Sequence, residues 1–459
     1  MMNKRHPASF RDPSGFIFWQ DGTLYRQVNR SYQGAYDLLT SSGLYDRLLE
    51  KDLILAHEAT SLEPSAPEDA YLIIKPAMLD FVSYPYEWSF SALKDAALTT
   101  LRIEKLALKY GMTLKDASAY NIQFHHGRPV LIDTLSFDVY EEGTPWIAYR
   151  QFCQHFLAPL ALMAHVDVRF GQYTQVHLDG IPLDLASKLL PSKTKRNIDL
   201  YTHLHLHARS QQKAKESQLD GAAIKERRVS HTGRLGVVDS LKKAVQRLEL
   251  KQSGDWQSYY SFHNYDDAAF VEKKQVVDRF LDELQPDRVL DLGANTALFS
   301  ELASQRGIST VALDVDPTAV DVAYRHAREQ DDRYLLPLRM DLTNPSPALG
   351  WAHTERSSLA ERQKDQAVFS LALVHHLAIG NNVPLIEVAR YFSSLGSALL
   401  IEFVPKADSQ VKKMLASRLD IFPDYHEAGF EDAFSQFFEI RWRHELETSS
   451  RVLYAMTVR

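Results

Sequence analysis

A single cysteine, Cys153, among 459 residues removes any intramolecular disulfide and any cysteine-built zinc site, and it suits a reducing cytoplasm. Long apolar runs are missing as well. The longest, Phe156–Val166, falls far short of the roughly 18 residues that suggest a membrane-spanning helix. No membrane span is therefore expected. The opening Met-Met-Asn-Lys-Arg-His-Pro leads into no apolar core of a secretory leader, in keeping with a cytoplasmic location. Neither sign of charge dominates: 52 Lys and Arg stand against 59 Asp and Glu, a net charge of −7. Such a balance supplies no global attraction to nucleic acid, which is not expected as a partner. What remains is an ordinary globular composition, 45% apolar and 24% charged, in a chain too long for one hydrophobic core.

The most informative stretch is Arg288 to Ser300, Arg-Val-Leu-Asp-Leu-Gly-Ala-Asn-Thr-Ala-Leu-Phe-Ser. A short apolar run reaches Asp291, a turn forms on Gly293 and Asn295, and a helix is predicted from about Leu298. In a parallel sheet this sets a carboxylate and bare backbone at the carboxyl end of the first strand, where such folds bind ligands. The next strand, Thr310–Leu313, ends in Asp314, which can accept from two ribose hydroxyls. A dinucleotide site would ask for three glycines so that a pyrophosphate could sit on the helix N-terminus. Here the second and third positions are Asn295 and Ala297, and Asp291 would repel a phosphate. A ligand with a cationic amino acid end fits better, and S-adenosyl-L-methionine is such a ligand.

These residues resemble motif I of the class I methyltransferases, and further elements recur in order over roughly 260–459. A third strand, Pro337–Asp341, ends in Asp341, where the resemblance implies a contact to the adenine amino group. A fourth, Gln366–Leu373, brings Ser370, Leu371 and Ala372 to the cofactor edge, and His375 and His376 follow. A fifth, Ala398–Phe403, holds Glu402 near its end, and Phe437–Arg443 with Arg451–Val458 reads as a terminal β-pair. The implied fold is α/β, Rossmann-like, with a mixed seven-stranded sheet. The implied enzyme is an S-adenosylmethionine-dependent methyltransferase, with Asp291, Gly293, Asn295, Asp314, Asp341, Ser370 and Leu371 as cofactor-binding residues and no metal expected. Across the whole chain, Thr113–Phe137 and Ile401–Tyr425 also resemble bacterial methyltransferases of the nodulation host-specificity type. That resemblance implies a glycan or small-metabolite acceptor.

The missing motifs narrow the chemistry. No Asn-Pro-Pro-Tyr type loop follows the fourth strand, and Cys153 lies outside this domain, so exocyclic amines of bases and cysteine-dependent carbon methylation are disfavoured. Direct transfer to oxygen or nitrogen remains, in which positioning supplies much of the acceleration and a base takes the leaving proton. His376 is the first candidate for that proton, with His375 beside it and Glu402 as the second candidate. Packing or helix capping would explain the histidines as well, and a salt bridge to Lys406 would explain Glu402. Tyr425 and His426 are candidates for an acceptor lid.

The N-terminal half carries a second pattern. Asp116, four residues, Asn121, a strand, a turn at Gly127 and a strand ending in Asp133 follow the grammar of a kinase catalytic loop. The segment resembles kinase-like and aminoglycoside-phosphotransferase-like proteins, which implies magnesium and nucleotide contacts at these three residues. A hairpin on Asp21-Gly22, a helix over Ser31–Lys51, paired strands at Leu53–His57 and Tyr71–Pro76 and a helix at Phe90–Tyr110 agree with that likeness. The departures are equally plain. No Gly-x-Gly-x-x-Gly loop covers the hairpin, Arg26 stands where a phosphate-pairing Lys belongs, Thr134-Leu135 follows Asp133, and no His-Arg precedes Asp116. A degenerate kinase-like α+β domain, an ATP-binding phosphotransferase and a pseudokinase-type regulator all remain open readings, as do RNA and protein acceptors for the methyltransferase half.

The expected organisation is an α+β domain at 1–207, a basic linker and amphipathic helix at 208–259, and the methyltransferase domain at 260–459. The basic residues Arg209, Lys213, Lys215, Lys225, Arg227 and Arg228 read as a solvated linker. His203, His205 and His207 alternate with leucines in a predicted helix, where they fan apart and have no carboxylate partner. Nothing in the pattern specifies an oligomer.

Overall fold

The computed structural model describes residues 4–64, 67–210, 228–250, 267–362, 366–416 and 418–459, arranged as two units. The first unit takes Met1–Lys251 together with the excursion Leu349–Arg356. It opens on an antiparallel sheet in the order β1 (Lys4–Arg5), β2 (Gly15–Gln20), β3 (Thr23–Asn29), β5 (Ala70–Pro76), β4 (His57–Thr60). Asp21 and Gly22 both take positive φ, 50° and 77°, the backbone that a two-residue hairpin turn demands. The single helix expected over Ser31–Lys51 is two, Gln33–Ser41 and Leu44–Leu49, because Gly43 turns left-handed (φ 82°) between them. Leu53 and Leu55 do not pair with the Tyr71 strand. Their backbone bonds go instead to Leu131, and pairing with β5 starts at His57.

A long helix, Phe90–Lys109, is capped by Ser89, whose hydroxyl accepts the Ala92 N–H. The short pairs β6 (Met112–Leu114) with β9 (Phe137–Val139) and β7 (Ile122–His125) with β8 (Arg128–Leu131) follow it. A small antiparallel sheet with helices after its third strand, then a helical part bearing two short antiparallel strand pairs, is a kinase-like arrangement. The apolar run noted in the sequence is buried here as a π-turn, Cys153–Leu157, continuing into Ala158–His165. His203 bonds to Tyr149 and Ser240, and His205 to Ser187 and Thr194, so hydroxyls take the nitrogens of both rings. Most of the basic linker, 211–227, lies outside the described residues.

The amphipathic helix beyond it, His231–Gln246, docks on Phe90–Lys109 through a buried ion pair. Arg234 donates from Nε to Glu104 (3.2 Å), from Nη2 to Thr113 (2.7 Å) and from Nη1 to the Thr144 carbonyl (3.2 Å).

In the second unit the strands are β10 (Arg288–Leu292), β11 (Ser309–Asp314), β12 (Leu335–Arg339), β13 (Ala367–Ser370), β14 (Ala398–Phe403), β15 (Phe438–Glu445) and β16 (Val452–Val458). They form one sheet in the order β12-β11-β10-β13-β14-β16-β15, parallel as far as β14, with β16 antiparallel to both β14 and β15. Ranked along the chain this order reads 3-2-1-4-5-7-6, the sheet of the class I methyltransferases. Register fixes which residues share a face. Val289 lies beside Ala367, which lies beside Ala398, and Leu400 lies beside Ala455. These residues pack with Val276, Val277, Phe280 and Leu281 of the helix Asp267–Leu284. On the other face Phe403 and Tyr454 close on Phe430 of the helix Glu427–Phe434, with ring centroids about 5 Å apart. Among the described residues no helix is long and apolar enough to cross a membrane.

Arg234→Met should destabilise the first unit by roughly 3–5 kcal/mol, because Glu104 is left buried without its cation. The double variant Glu104→Gln with Arg234→Met should recover much of that loss. Chemical denaturation of the three proteins checks it, and equal losses in single and double variants would contradict it.

Candidate functional site

Bare backbone and carboxylates meet where β10, β11 and β13 end. Gly293 turns left-handed (φ 74°), and a Cβ there would stand 3.0 Å from a Leu373 methyl. Asn295 and Ala297 are left-handed too (51° and 67°), an unusual setting for side-chain-bearing residues. The strained loop is clamped: the N–H groups of Gly293 and Ala294 donate to the Leu313 carbonyl, and that of Asn295 donates to Asp314 Oδ2 at 2.7 Å. Asp314 Oδ1 accepts the Asp316 N–H (2.8 Å). Each Asp314 oxygen keeps a lone pair for a hydroxyl. Burial lifts this carboxyl above its usual range, and the backbone donors hold it partly down.

The cavity above this loop has a volume of about 510 Å³, within the usual span of small-ligand pockets. It is lined by Gly293, Asn295, Asp314 and Asp341, by Leu371 and Ala372, and by His375, His376, Gln410 and Arg451 among others. Asp341 is held by Thr343, whose N–H and hydroxyl donate to Oδ1 at 2.9 and 2.6 Å. Five of the seven expected cofactor contacts therefore line one cavity. The other two stand behind it. Ser370 is buried, and Asp291, 1% exposed, accepts a 2.6 Å bond from the Ser300 hydroxyl.

The two histidines differ. His375 is buried, its Nδ1 has no hydrogen-bond partner, and burial together with His376 and Arg451 pushes its pKa down to about 3. His376 is more exposed, and burial followed by Arg451 lowers its pKa as well. Both are neutral at pH 7.

Glu402 does not line the cavity. It points to the face covered by the helix Asp267–Leu284, 0% exposed, and takes Lys273 at 2.6 Å and Arg451 at 3.4 Å. Lys406, the partner expected for it, pairs with Asp420 instead. Tyr425 and His426 form no lid. The Tyr425 hydroxyl donates to the Val404 carbonyl in the core, and His426 Nδ1 accepts the Gly429 N–H as a helix cap. Lys273, not anticipated from the sequence, sits on the buried stripe Lys273, Val276, Val277, Phe280, Leu281. A cation in an amphipathic helix's apolar stripe is the signal that marks it.

In the first unit Asp116, Asn121 and Asp133 do come together. Asn121 donates to the Ser136 hydroxyl (3.1 Å), which donates to Asp133 Oδ2 (2.5 Å), and Asp116 accepts the Ser118 N–H. Arg26 of β3 reaches across and pairs with Asp133 Oδ1 at 2.5 Å. Burial pushes the Asp133 carboxyl up, but Arg26, Ser136 and the Leu135 N–H outweigh it and hold the group below its usual range. Asp133, expected as a magnesium contact, is thus paired with a guanidinium.

Over 459 aligned residues, 98% of this chain and 95% of the other, the sequence is 34% identical to the nodulation protein NoeA of Rhizobium meliloti (strain 1021). The chain belongs to the NoeA family. No known family model matches it. Solved structures similar to this chain include WbdD with a kinase inhibitor (14% identity, TM-score 0.30), the match spanning 42% of this chain and 41% of that one. The N-methyltransferase NodS of Bradyrhizobium japonicum WM9 (9%, TM-score 0.30) is matched over 42% and 98%. Magnesium protoporphyrin IX methyltransferase of Synechocystis PCC 6803 with bound SAH (18%, TM-score 0.31) is matched over 44% and 93%.

Asp291 generates a test on the ligand-free protein. Burial, against Ser300 and Lys273, lifts its carboxyl from 3.8 to about 6. A raised carboxyl pKa means that the ionised form is penalised on folding. The penalty is absent below pH 3.8, grows between the two values and is complete above about pH 6. Asp291→Asn should therefore stabilise the unliganded protein by about 1–3 kcal/mol at neutral pH and by little near pH 4. Thermal denaturation across this range checks it, and a stability difference independent of pH would contradict it.

Proposed function

We propose that this chain is an S-adenosylmethionine-dependent methyltransferase acting on oxygen or nitrogen of a small-molecule or glycan acceptor. The observation that carries the reading is the single cavity uniting Gly293, Asn295, Asp314 and Asp341 with His375 and His376 at the carboxyl edge of a 3-2-1-4-5-7-6 sheet. When bound there, S-adenosylmethionine supplies an electrophilic methyl group on a sulfonium.

The chain's own residues would do the rest. Asp314, oriented by two backbone N–H groups, accepts from ribose hydroxyls, and Asp341 accepts from the adenine amino group. The left-handed turn at Gly293–Asn295 lets backbone approach the ligand without a side chain between. His376, neutral and reachable from solvent, takes the proton that leaves the acceptor. His375 is too weak a base for that task, and its bare Nδ1 serves as a neutral hydrogen-bond partner that orients the acceptor. The near balance of charge, 52 basic against 59 acidic residues, favours a small or glycan acceptor over a nucleic acid.

The kinase-like unit is read as a binding or scaffolding part. With Arg26 on Asp133 and Ser136 tying Asn121 to the same carboxylate, the groups that would hold magnesium are engaged with one another.

Asp314→Ala should weaken S-adenosylmethionine binding roughly tenfold to a hundredfold, the loss of charge-assisted hydrogen bonds in a desolvated site. Calorimetry measures it, and unchanged affinity in a folded variant removes the cofactor assignment. His376→Ala should lower the methyl-transfer rate by roughly a hundredfold or more with cofactor affinity nearly kept. A full rate in that variant would return the proton to solvent. Titration with magnesium-ATP should show no binding and no phosphate release. Magnesium-dependent phosphate transfer, lost in both Asp116→Ala and Asp133→Ala, would instead establish an active phosphotransferase.

A further inference from the structure

One segment of the chain is used by neither site. Leu349–Arg356 lies between β12 and β13 in the sequence, yet it packs as part of the first unit, while Gln252–Ala348 and Ser357–Arg459 on either side of it form the second. Its backbone is unusual. Leu349 and Arg356 bridge antiparallel and close a loop, within which Gly350, Ala352 and His353 all take positive φ, 84°, 52° and 57°. Strain of this kind persists only where surrounding contacts over-determine it. Within the loop, the Glu355 carboxylate accepts the Trp351 N–H at 2.8 Å.

Its other polar contacts reach two separate parts of the kinase-like unit. Arg11, just before β2, holds Glu355 with two bonds, Nη2 to Oε1 at 2.6 Å and Nε to Oε2 at 3.3 Å. A guanidinium fork on a carboxylate fixes direction as well as distance. On the other side the Arg356 guanidinium lies 4.1 Å from the centre of the Tyr120 ring, a cation on an aromatic face. Tyr120 belongs to the loop 116–121, and its ring is already positioned: His155 meets it edge-on, with centroids 6.1 Å apart. Two adjacent residues thus tie the segment before the small sheet to the loop that carries Asp116 and Asn121. In a kinase, a loop of this grammar receives a hydroxyl substrate. Here a piece of the chain itself rests against it.

We propose that the kinase-like unit is a docking module whose ligand is the chain's own segment Leu349–Arg356, and that this docking orders the loop after β12 for cofactor binding. The inference deepens the reading of the first unit as a scaffolding part, and it rests on the S-adenosylmethionine reading for the cofactor. The connection is short and covalent. Asp341, Leu342 and Thr343 line the cavity. Between them and Leu349 the chain is pinned at Ser346, whose N–H donates to Met340 Sδ at 3.2 Å and whose carbonyl accepts the Leu359 N–H at 3.0 Å. Glu355 and Arg356 are not among the described residues that line the cavity, so their effect on the cofactor is carried by the chain between.

Amide hydrogen exchange of the full chain is measured for wild type, Arg11→Gln, Tyr120→Leu and the combined variant Arg11→Gln with Arg356→Gln, without and with saturating S-adenosylmethionine. Without ligand, Arg11→Gln and Tyr120→Leu should each speed exchange across 349–356 by roughly fivefold or more, although neither alters that segment. Wild-type exchange there in both variants would mean that the loop holds itself, and would overturn the dock. The Arg11 side chain is 64% exposed, so Arg11→Gln keeps the fold and decides the matter should Tyr120→Leu unfold. In the combined variant the segment is released, and calorimetry should find S-adenosylmethionine bound roughly fivefold or more weakly. By reciprocity, saturating cofactor should slow exchange across 349–356 in wild type. Unchanged affinity in the combined variant, with no slowing in wild type, would overturn the coupling. Wild type that binds no S-adenosylmethionine, with the segment loosened in the variants as expected, overturns the cofactor reading and leaves the dock in place.

Discussion

Carboxylates at the ends of parallel strands have to be either wet or paired, and in the second unit this constraint governs the layout of the site. Asp291, Asp314 and Glu402 all end strands of the same sheet, yet only Asp314 lines the cavity. The other two lie on the face that the helix Asp267–Leu284 covers, and burying them there is tolerable only because that helix gives up an apolar position to Lys273. Arg451, entering from the turn before β16, carries the compensation on to Asp408. The terminal β-pair thereby does more than widen the sheet. Its turn supplies a second cation, beside Lys273, to the fifth strand's glutamate.

The first unit meets the same constraint with the opposite result. Asp133 also follows a strand beside a cleft, but its counter-charge, Arg26, comes from the opposing sheet and sits directly on it. The Ser136 hydroxyl, itself accepting from Asn121, donates to the remaining oxygen. The carboxylate is stabilised by what already surrounds it and has no electrostatic need for a ligand. One unit keeps carboxylates lining a cavity, and the other has its Asp133 carboxylate paired from within. That contrast is the physical reason for reading chemistry into the second and support into the first.

The strands of the second unit were legible because each combines a short apolar run with an acidic or turn-forming end. The strand Ala398–Phe403 matches residue for residue, and Asp314 and Asp341 stand at the cavity as motif spacing implied. What spacing cannot convey is which face a strand-end residue takes. Glu402 looked available for chemistry, whereas its parity with Leu400 places it under a helix. Lys273 was passed over because it precedes the motif and belongs to no pattern of its own, although its place among Val276, Val277, Phe280 and Leu281 marks it. Tyr425 and His426 sat in a loop-like stretch, and only packing shows one as core and the other as a helix cap. In the first unit Gly43 broke a helix that composition alone would have continued. The Arg26–Asp133 pair joins residues too distant in the chain for any local pattern to connect.

The loop at Gly293–Ala297 takes three left-handed residues, two of them with side chains, and holds them with backbone bonds to β11 and with Asp314. Its ordering entropy is lost during folding, so little remains to be lost when a ligand arrives. A recess set in advance also holds a used ligand nearly as well as a fresh one, since both present the same nucleoside to it. Discrimination between substrate and product then falls to the feature that differs between them, a sulfonium against a neutral thioether. The wall that can sense that difference is the charged one behind the loop. In such an enzyme the departure of the neutral product would depend on electrostatics at that wall.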